Sequence, residues 1–175
     1  MSIFVVLIPP ALVLGPFIPD LLLCLSSLII LFNYFYYKDK DIDLKNNIII
    51  YLFLFYIYSL IRSLFSDNIF LSLESSLFYF RFIIFIIVIN FLIKKSINFT
   101  YNFTIILFIT IFFISFDGIY QLINMKNLFG MIKENAFRVS GVFGEEYKLG
   151  SFIIRILPLL VGLILFLNTN NKIKN

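Results

Sequence analysis

YNFTIILFITIFFISFDGIYQLI, Tyr101 to Ile123, holds a single charged residue, Asp117, and is long enough to cross a hydrocarbon core, which takes about 20 residues of α-helix. Comparable apolar runs lie on both sides of it, at Asn47 to Phe65, Ser76 to Ile93 and Leu149 to Leu167. The opening tract, Ile3 to Tyr37, is longer still. As one helix it reaches roughly 50 Å, well beyond a core of about 30 Å. Pro9, Pro10, Gly15, Pro16 and Pro19 with Asp20 interrupt it, so it reads as two helices meeting near Gly15 to Asp20, the first short or kinked at the proline pair. No Lys or Arg precedes Lys38, so a secretory leader lacks its basic end, and the tract reads as a retained span.

The expected fold is therefore all-α, a polytopic membrane helix bundle of about six transmembrane helices in a single domain, 1–175. Composition requires the same solvent. With 61% hydrophobic and 19% aromatic residues and a mean hydropathy of +1.01, a chain of 175 residues cannot hide its side chains in a water-soluble globule. The lone cysteine, Cys24, can make no internal disulfide. With no histidine, the chain lacks the commonest general base, and a zinc or iron centre would have to be built from carboxylates whose placement does not suggest one. No metal, cofactor or nucleic-acid partner is expected. The aromatic run Tyr51 to Tyr58 reads as lipid-facing or packing surface, not as a platform for stacking sugars.

Charge placement orients the bundle. Lys38, Lys40, Lys45, Lys94, Lys95, Lys172 and Lys174 fall on one side, whereas the turn expected at Ser66 to Glu74 carries no Lys or Arg. The positive-inside bias makes the lysine side cytoplasmic, puts both termini there, and turns the loop 124–148 outward. The four arginines follow another rule. Arg62, Arg81, Arg138 and Arg155 map to the outer third of the membrane or the outer loop. Arg81 and Arg155 lie about six residues, roughly 9 Å, inside their spans, where an unpaired charge costs up to about 2.5 kcal/mol or more towards the centre. Asp117 and Gln121, four apart on one helix face, reach the same level, and Glu74 opens its span there. Simple packing would pair Arg81 with Glu74 or Asp117, and Arg155 with Glu145 or Glu146. The clustering of arginine, the side chain suited to bidentate phosphate recognition, points instead to an outward-facing anion site.

The stretch Phe137 to Ser151, FRVSGVFGEEYKLGS, supplies the rest of such a site. Gly141 and Gly144 permit turned backbone whose amides can line a concavity for an anion, with Arg138 and Lys148 alongside and Glu145 and Glu146 as countercharges. Gly150 and Ser151 open a helix whose N-terminus faces the same space. Pro158 and Gly162 in the last span mark a kink or a close helix contact.

Asp117-Gly-Ile-Tyr-Gln121, Asn127-Leu-Phe-Gly130, Arg138-Val-Ser-Gly141-Val-Phe-Gly144-Glu-Glu146 and Leu149-Gly-Ser-Phe152, entering a span with Pro158, together resemble the central region of the O-antigen ligase and O-antigen polymerase family. The motif-bearing part is about Asp117 to Gly162. The resemblance implies a glycosyltransferase of the bacterial inner membrane that takes an undecaprenyl-diphosphate-linked glycan as donor on the periplasmic side, without nucleotide sugar or obligatory metal. It implies that Arg138 contacts the donor diphosphate and is the candidate catalytic residue. Arg155, Gly141 and Gly144 would share the diphosphate, with Arg81, Asp117, Gln121, Glu145 and Glu146 in support. Family members are longer and carry further spans and a large periplasmic loop with a catalytic histidine. On that comparison the chain corresponds to the N-terminal half, inactive alone, with the missing half supplied elsewhere, for instance by a second chain. The competing reading is a non-enzyme, half of a lipid-linked oligosaccharide flippase or another anion transporter. Transporters place polar residues through the midplane, and the nearly uninterrupted apolar inner half of this chain argues against that.

Overall fold

The computed structural model describes residues 1–37, 47–132, 138–144 and 146–174. The segment carrying Lys38, Lys40 and Lys45, and Glu145 of the loop between the last two long helices, lie outside the described residues. Among the described residues the chain is helical and without strands, as an all-α membrane bundle requires. It falls into two compact units, one formed by Met1–Ile8 with Pro16–Ile97, the other by Pro9–Gly15 with Asn98–Asn175.

The first unit holds α1 (Ser2–Val6), α3 (Phe17–Phe32, continued by a π-turn at Asn33–Tyr37), α4 (Asn47–Ser63), α5 (Ile69–Phe78) and α6 (Phe80–Lys95). The second holds most of α2 (Ile8–Leu14), then α7 (Ile97–Asn124) and α8 (Leu149–Lys174). The opening tract breaks at Gly15, φ 128°, and Pro16, where the composition places the break. Its first half is short and broken, as the proline pair leads one to expect. Pro9 and Pro10 lack the amides that would bond back to Val5 and Val6, so the helix is interrupted at Leu7, leaving pieces of five and seven residues. Four helical stretches are long and apolar enough to cross a membrane: Phe17–Tyr36, Ile69–Lys95, Ile97–Asn124 and Leu149–Thr169. A shorter apolar helix, Asn47–Ser63, accompanies them, and with the proline-interrupted opening pieces these make up the about six helical segments expected, the first of them short.

Two expected loops are also largely helical. Ser66 to Glu74 reads as a turn because of its polar residues, yet α5 begins at Ile69. Its serines recur at helical spacing, and Ser76 faces α4, donating from Oγ to Ser63 Oγ at 3.3 Å, while Ser72 Oγ accepts from Ser66 Oγ of the connecting tip at 2.7 Å. Lys94 to Thr100 shrinks to one extended residue, Ser96, between α6 and α7.

In the first unit α4 runs antiparallel to α5 and α6. Tyr56 meets Phe80 with ring centroids 5.9 Å apart, and Ser63 meets Ser76, one register continuing into the tip at Leu64 to Asn68. Helix α6 packs on α3 in parallel, since Asp20 near the start of α3 pairs with Arg81 near the start of α6. In the second unit Leu107 and Ile111 of α7 meet Leu160 of α8, flanked by Phe103, Ile153, Ile156 and Leu163. Gly162 has open space where a Cβ would stand, so it marks no close helix contact, and α8 runs through Pro158 without ending.

The burial pattern is that of a protein dissolved in lipid. Ser26, Ser27, Ser63, Ser76, Thr100, Thr104 and Thr110 are buried, whereas Phe17, Phe65, Phe70, Phe112 and Ile154 are exposed. Small hydroxyl residues let helices approach closely, and several satisfy themselves on their own helix, as when Thr104 Oγ1 donates to the Thr100 carbonyl at 2.8 Å. Tyr51, Phe53, Leu54, Phe55 and Tyr58 are exposed on α4, in keeping with a lipid-facing aromatic run.

Candidate functional site: a loop locked onto the end of α7

The last turns of α7 turn two polar side chains, Asp117 and Gln121, into the loop that follows. Gln121 is fully buried, and its Oε1 accepts the amides of Ser140 at 3.1 Å and Gly141 at 2.8 Å, while its Nε2 donates to Ser140 Oγ at 3.3 Å. Asp117, also fully buried, accepts the Leu128 amide on Oδ1 at 2.9 Å. Asn127, 3% exposed, ties the two halves of the loop together. Its Oδ1 accepts the amides of Phe129 (3.1 Å) and Met131 (2.7 Å), and its Nδ2 donates to the Gly141 carbonyl at 2.8 Å. The Asn127 amide donates to the Met131 carbonyl at 2.9 Å, closing a tight turn around Gly130. A loop at a membrane surface would otherwise leave these backbone groups dependent on water, so side chains from a rigid helix fix their conformation.

Gly141 sits where only glycine fits. Its φ is 58°, and a Cβ there would stand 2.5 Å from Leu149 Cδ1 and 3.1 Å from Asp117 Oδ2. Asp117 Oδ2 itself is buried and has no hydrogen-bond partner. A one-turn 3-10 helix, Gly141–Phe143, follows, and Gly144, φ 65°, reverses the chain toward α8. Phe143 packs against Phe152 with centroids 5.3 Å apart, tying this turn to the first turns of α8.

The residues singled out from the sequence divide into three groups. Asp117, Gln121 and Gly141 come together as the lock, joined by Asn127 and Ser140. The Gly141 amide, read as one wall of an anion nest, bonds instead to Gln121 Oε1, so this glycine acts through its backbone conformation. Arg138 lies three residues ahead of Gly141, exposed and without an ion pair among the described residues; Arg155, exposed on α8, has none either. Glu146 pairs with Lys148 at 2.6 Å and not with Arg155. Arg81 belongs to the first unit, where it pairs with Asp20, not with Glu74 or Asp117, and stacks over Phe78 and Phe82 at 5.8 and 5.1 Å. Glu74 opens no span, since it lies inside α5.

Sequence reasoning passes over Asn127 as a site residue, and over Ser140 and Asp20. Asn127 carried a usable signal, because Asn-Leu-Phe-Gly is a turn sequence in which an asparagine side chain caps its own loop. Among the described residues no cluster of His, Cys, Asp and Glu is arranged to hold a metal ion. The chain matches no family model, no curated protein and no solved structure.

Proposed function

We propose that the second unit binds the diphosphate of a membrane lipid, such as an undecaprenyl-diphosphate-linked glycan, on the periplasmic side of a bacterial inner membrane, as the donor half-site of a glycan ligase or polymerase. The observation that carries the reading is Arg138: an exposed guanidinium without an ion pair among the described residues, three positions from backbone that Gln121, Asn127 and Asp117 hold in one conformation. A guanidinium free of internal partners can meet two phosphate oxygens at once, and a rigid base spares the cost of ordering it on binding. Arg155, also exposed and unpaired, supplies a second cation on the helix that follows, and Gly144 supplies the reversal between them. In transfer, cations at the diphosphate neutralise the charge that develops as the glycosyl bond breaks, which eases departure of the leaving group. With no histidine in the chain, binding is expected of it and transfer is not.

The test is direct binding of undecaprenyl diphosphate to the purified chain in detergent. Arg138→Ala removes a charge-assisted contact worth about 1.5–3 kcal/mol, so affinity falls roughly 10- to 100-fold. Arg138→Lys keeps the charge without the fork and retains part of it. Equal affinity of wild type and Arg138→Ala excludes the assignment.

A further inference from the structure

The hairpin of α4 and α5 carries a second polar site that the lipid-diphosphate reading leaves unused. Its tip carries an open cleft of about 590 Å³ lined by Arg62, Asp67, Ser63, Ser66, Ser72 and Ser76 among others, within the range of roughly 300–1,000 Å³ typical of small-ligand sites. Arg62 and Asp67 face one cleft, yet among the described residues neither forms an ion pair, with the other or elsewhere. Opposite charges that share a cleft without pairing are complementary to an occupant bearing both signs. A simple anion would meet Asp67, and a simple cation would meet Arg62.

The hydroxyls narrow the chemistry. Ser63 Oγ donates to the Leu60 carbonyl at 2.7 Å, and Ser75 Oγ to the Ser72 carbonyl at 3.0 Å. Ser66 and Ser76 find carbonyl or hydroxyl acceptors within the hairpin at 2.7–3.3 Å. With their protons engaged internally, these hydroxyls keep oxygen lone pairs as acceptors, a lining that suits N–H donors. An apolar groove of about 290 Å³ between α4 and α6, walled by Leu52, Tyr56, Phe82, Ile83 and Ile86, shares Phe55, Ser59 and Tyr79 with the polar cleft. The polar cleft and the apolar groove adjoin along these three residues.

We propose that this hairpin binds a zwitterionic aminophospholipid, with the phosphate on Arg62, the primary ammonium on Asp67 and the serine oxygens, and an acyl chain in the α4–α6 groove. A quaternary ammonium has no N–H to donate to the serine oxygens, and an anionic headgroup leaves Asp67 opposed, so the site distinguishes phosphatidylethanolamine from both phosphatidylcholine and phosphatidylglycerol.

The test exposes the delipidated full chain to mixed micelles holding equal amounts of these three lipids with identical acyl chains, and counts retained lipids by native mass spectrometry. Wild type retains phosphatidylethanolamine over each of the others by about tenfold. Arg62→Gln abolishes the preference. Asp67→Asn shifts it toward phosphatidylglycerol, a change of selectivity that a misfolded chain cannot mimic. Equal retention of the three lipids by wild type, a wild-type preference for phosphatidylglycerol, or an Asp67→Asn variant with unchanged selectivity overturns the proposal. So does displacement of the lipid by equimolar free phosphoethanolamine, which would show that the groove contributes nothing.

Discussion

Replacing Gln121 with methionine, close in shape but without hydrogen-bonding groups, should release the loop that follows α7 while leaving the helices in place. Three contacts are lost: the amides of Ser140 at 3.1 Å and Gly141 at 2.8 Å, and the Ser140 hydroxyl at 3.3 Å. A buried donor left unsatisfied costs about 1–3 kcal/mol, so the two amides together amount to about 2–6 kcal/mol. The loop can escape the upper part of that range by detaching and exposing its amides to water, so the effect appears as local opening. An opening penalty reduced by about 2–4 kcal/mol corresponds to roughly 30- to 1,000-fold faster exchange, at tenfold for each 1.4 kcal/mol. Hydrogen–deuterium exchange of the detergent-solubilised protein reads this directly. The amides of Ser140 and Gly141 should be protected in wild type and accelerated by at least about 30-fold in Gln121→Met, with α6 unchanged. Unchanged exchange at both amides refutes the lock, and equal acceleration in α6 refutes its local character.

Three further outcomes test other parts of the structure. Arg81→Leu leaves Asp20 without its partner; both side chains are partly exposed, at 31% and 41%, and lie near helix starts, so the loss should be about 1–2 kcal/mol in detergent-induced unfolding, below the cost of a charge at the bilayer centre. Most of it should return in Arg81→Leu/Asp20→Leu, and simple additivity of the two single changes would argue against the pairing. Gly141→Ala forces a Cβ onto a left-handed backbone and toward Leu149 and Asp117, and should destabilise the loop by about 1–2 kcal/mol, read as faster proteolysis between Met125 and Lys148. Met125, a non-glycine residue with φ 59° just past the end of α7, should be improved by Met125→Gly, which gains about 1 kcal/mol in the same assay through the relaxed cap.

Periodicity and composition carry most of what could be read without the structure. The apolar runs that become α4, α7 and α8, the break at Gly15 and Pro16, and the shared face of Asp117 and Gln121 are local features, and local sequence expresses them. Glu74 and the serines of α5 read as a loop because they are polar, yet Ser76 packs against Ser63 of the neighbouring helix, and small hydroxyl side chains are a favoured packing surface in lipid. Asp20 reads as the junction of the first two helices because prolines precede it, and nothing within its own segment announces a partner 61 positions away. In the loop, two glycines correctly marked turned backbone, but whether an amide at such a turn faces a ligand or an internal oxygen depends on a side chain 20 positions earlier.

Helix α7 has 28 residues and spans about 42 Å, against about 30 Å of hydrocarbon. Upright, it leaves about eight residues standing clear of the acyl chains, as many as lie between Asp117 and Asn124. The lock then rests on a pedestal at headgroup height, and bilayer thickness becomes a variable of the loop. A thin bilayer leaves the surface of the loop against water and phosphates; a thick one surrounds it with hydrocarbon, where an amide freed from Gln121 or Asp117 has nowhere to go and the lock tightens. On that geometry the rigidity of the loop after α7 should depend partly on the lipids around it.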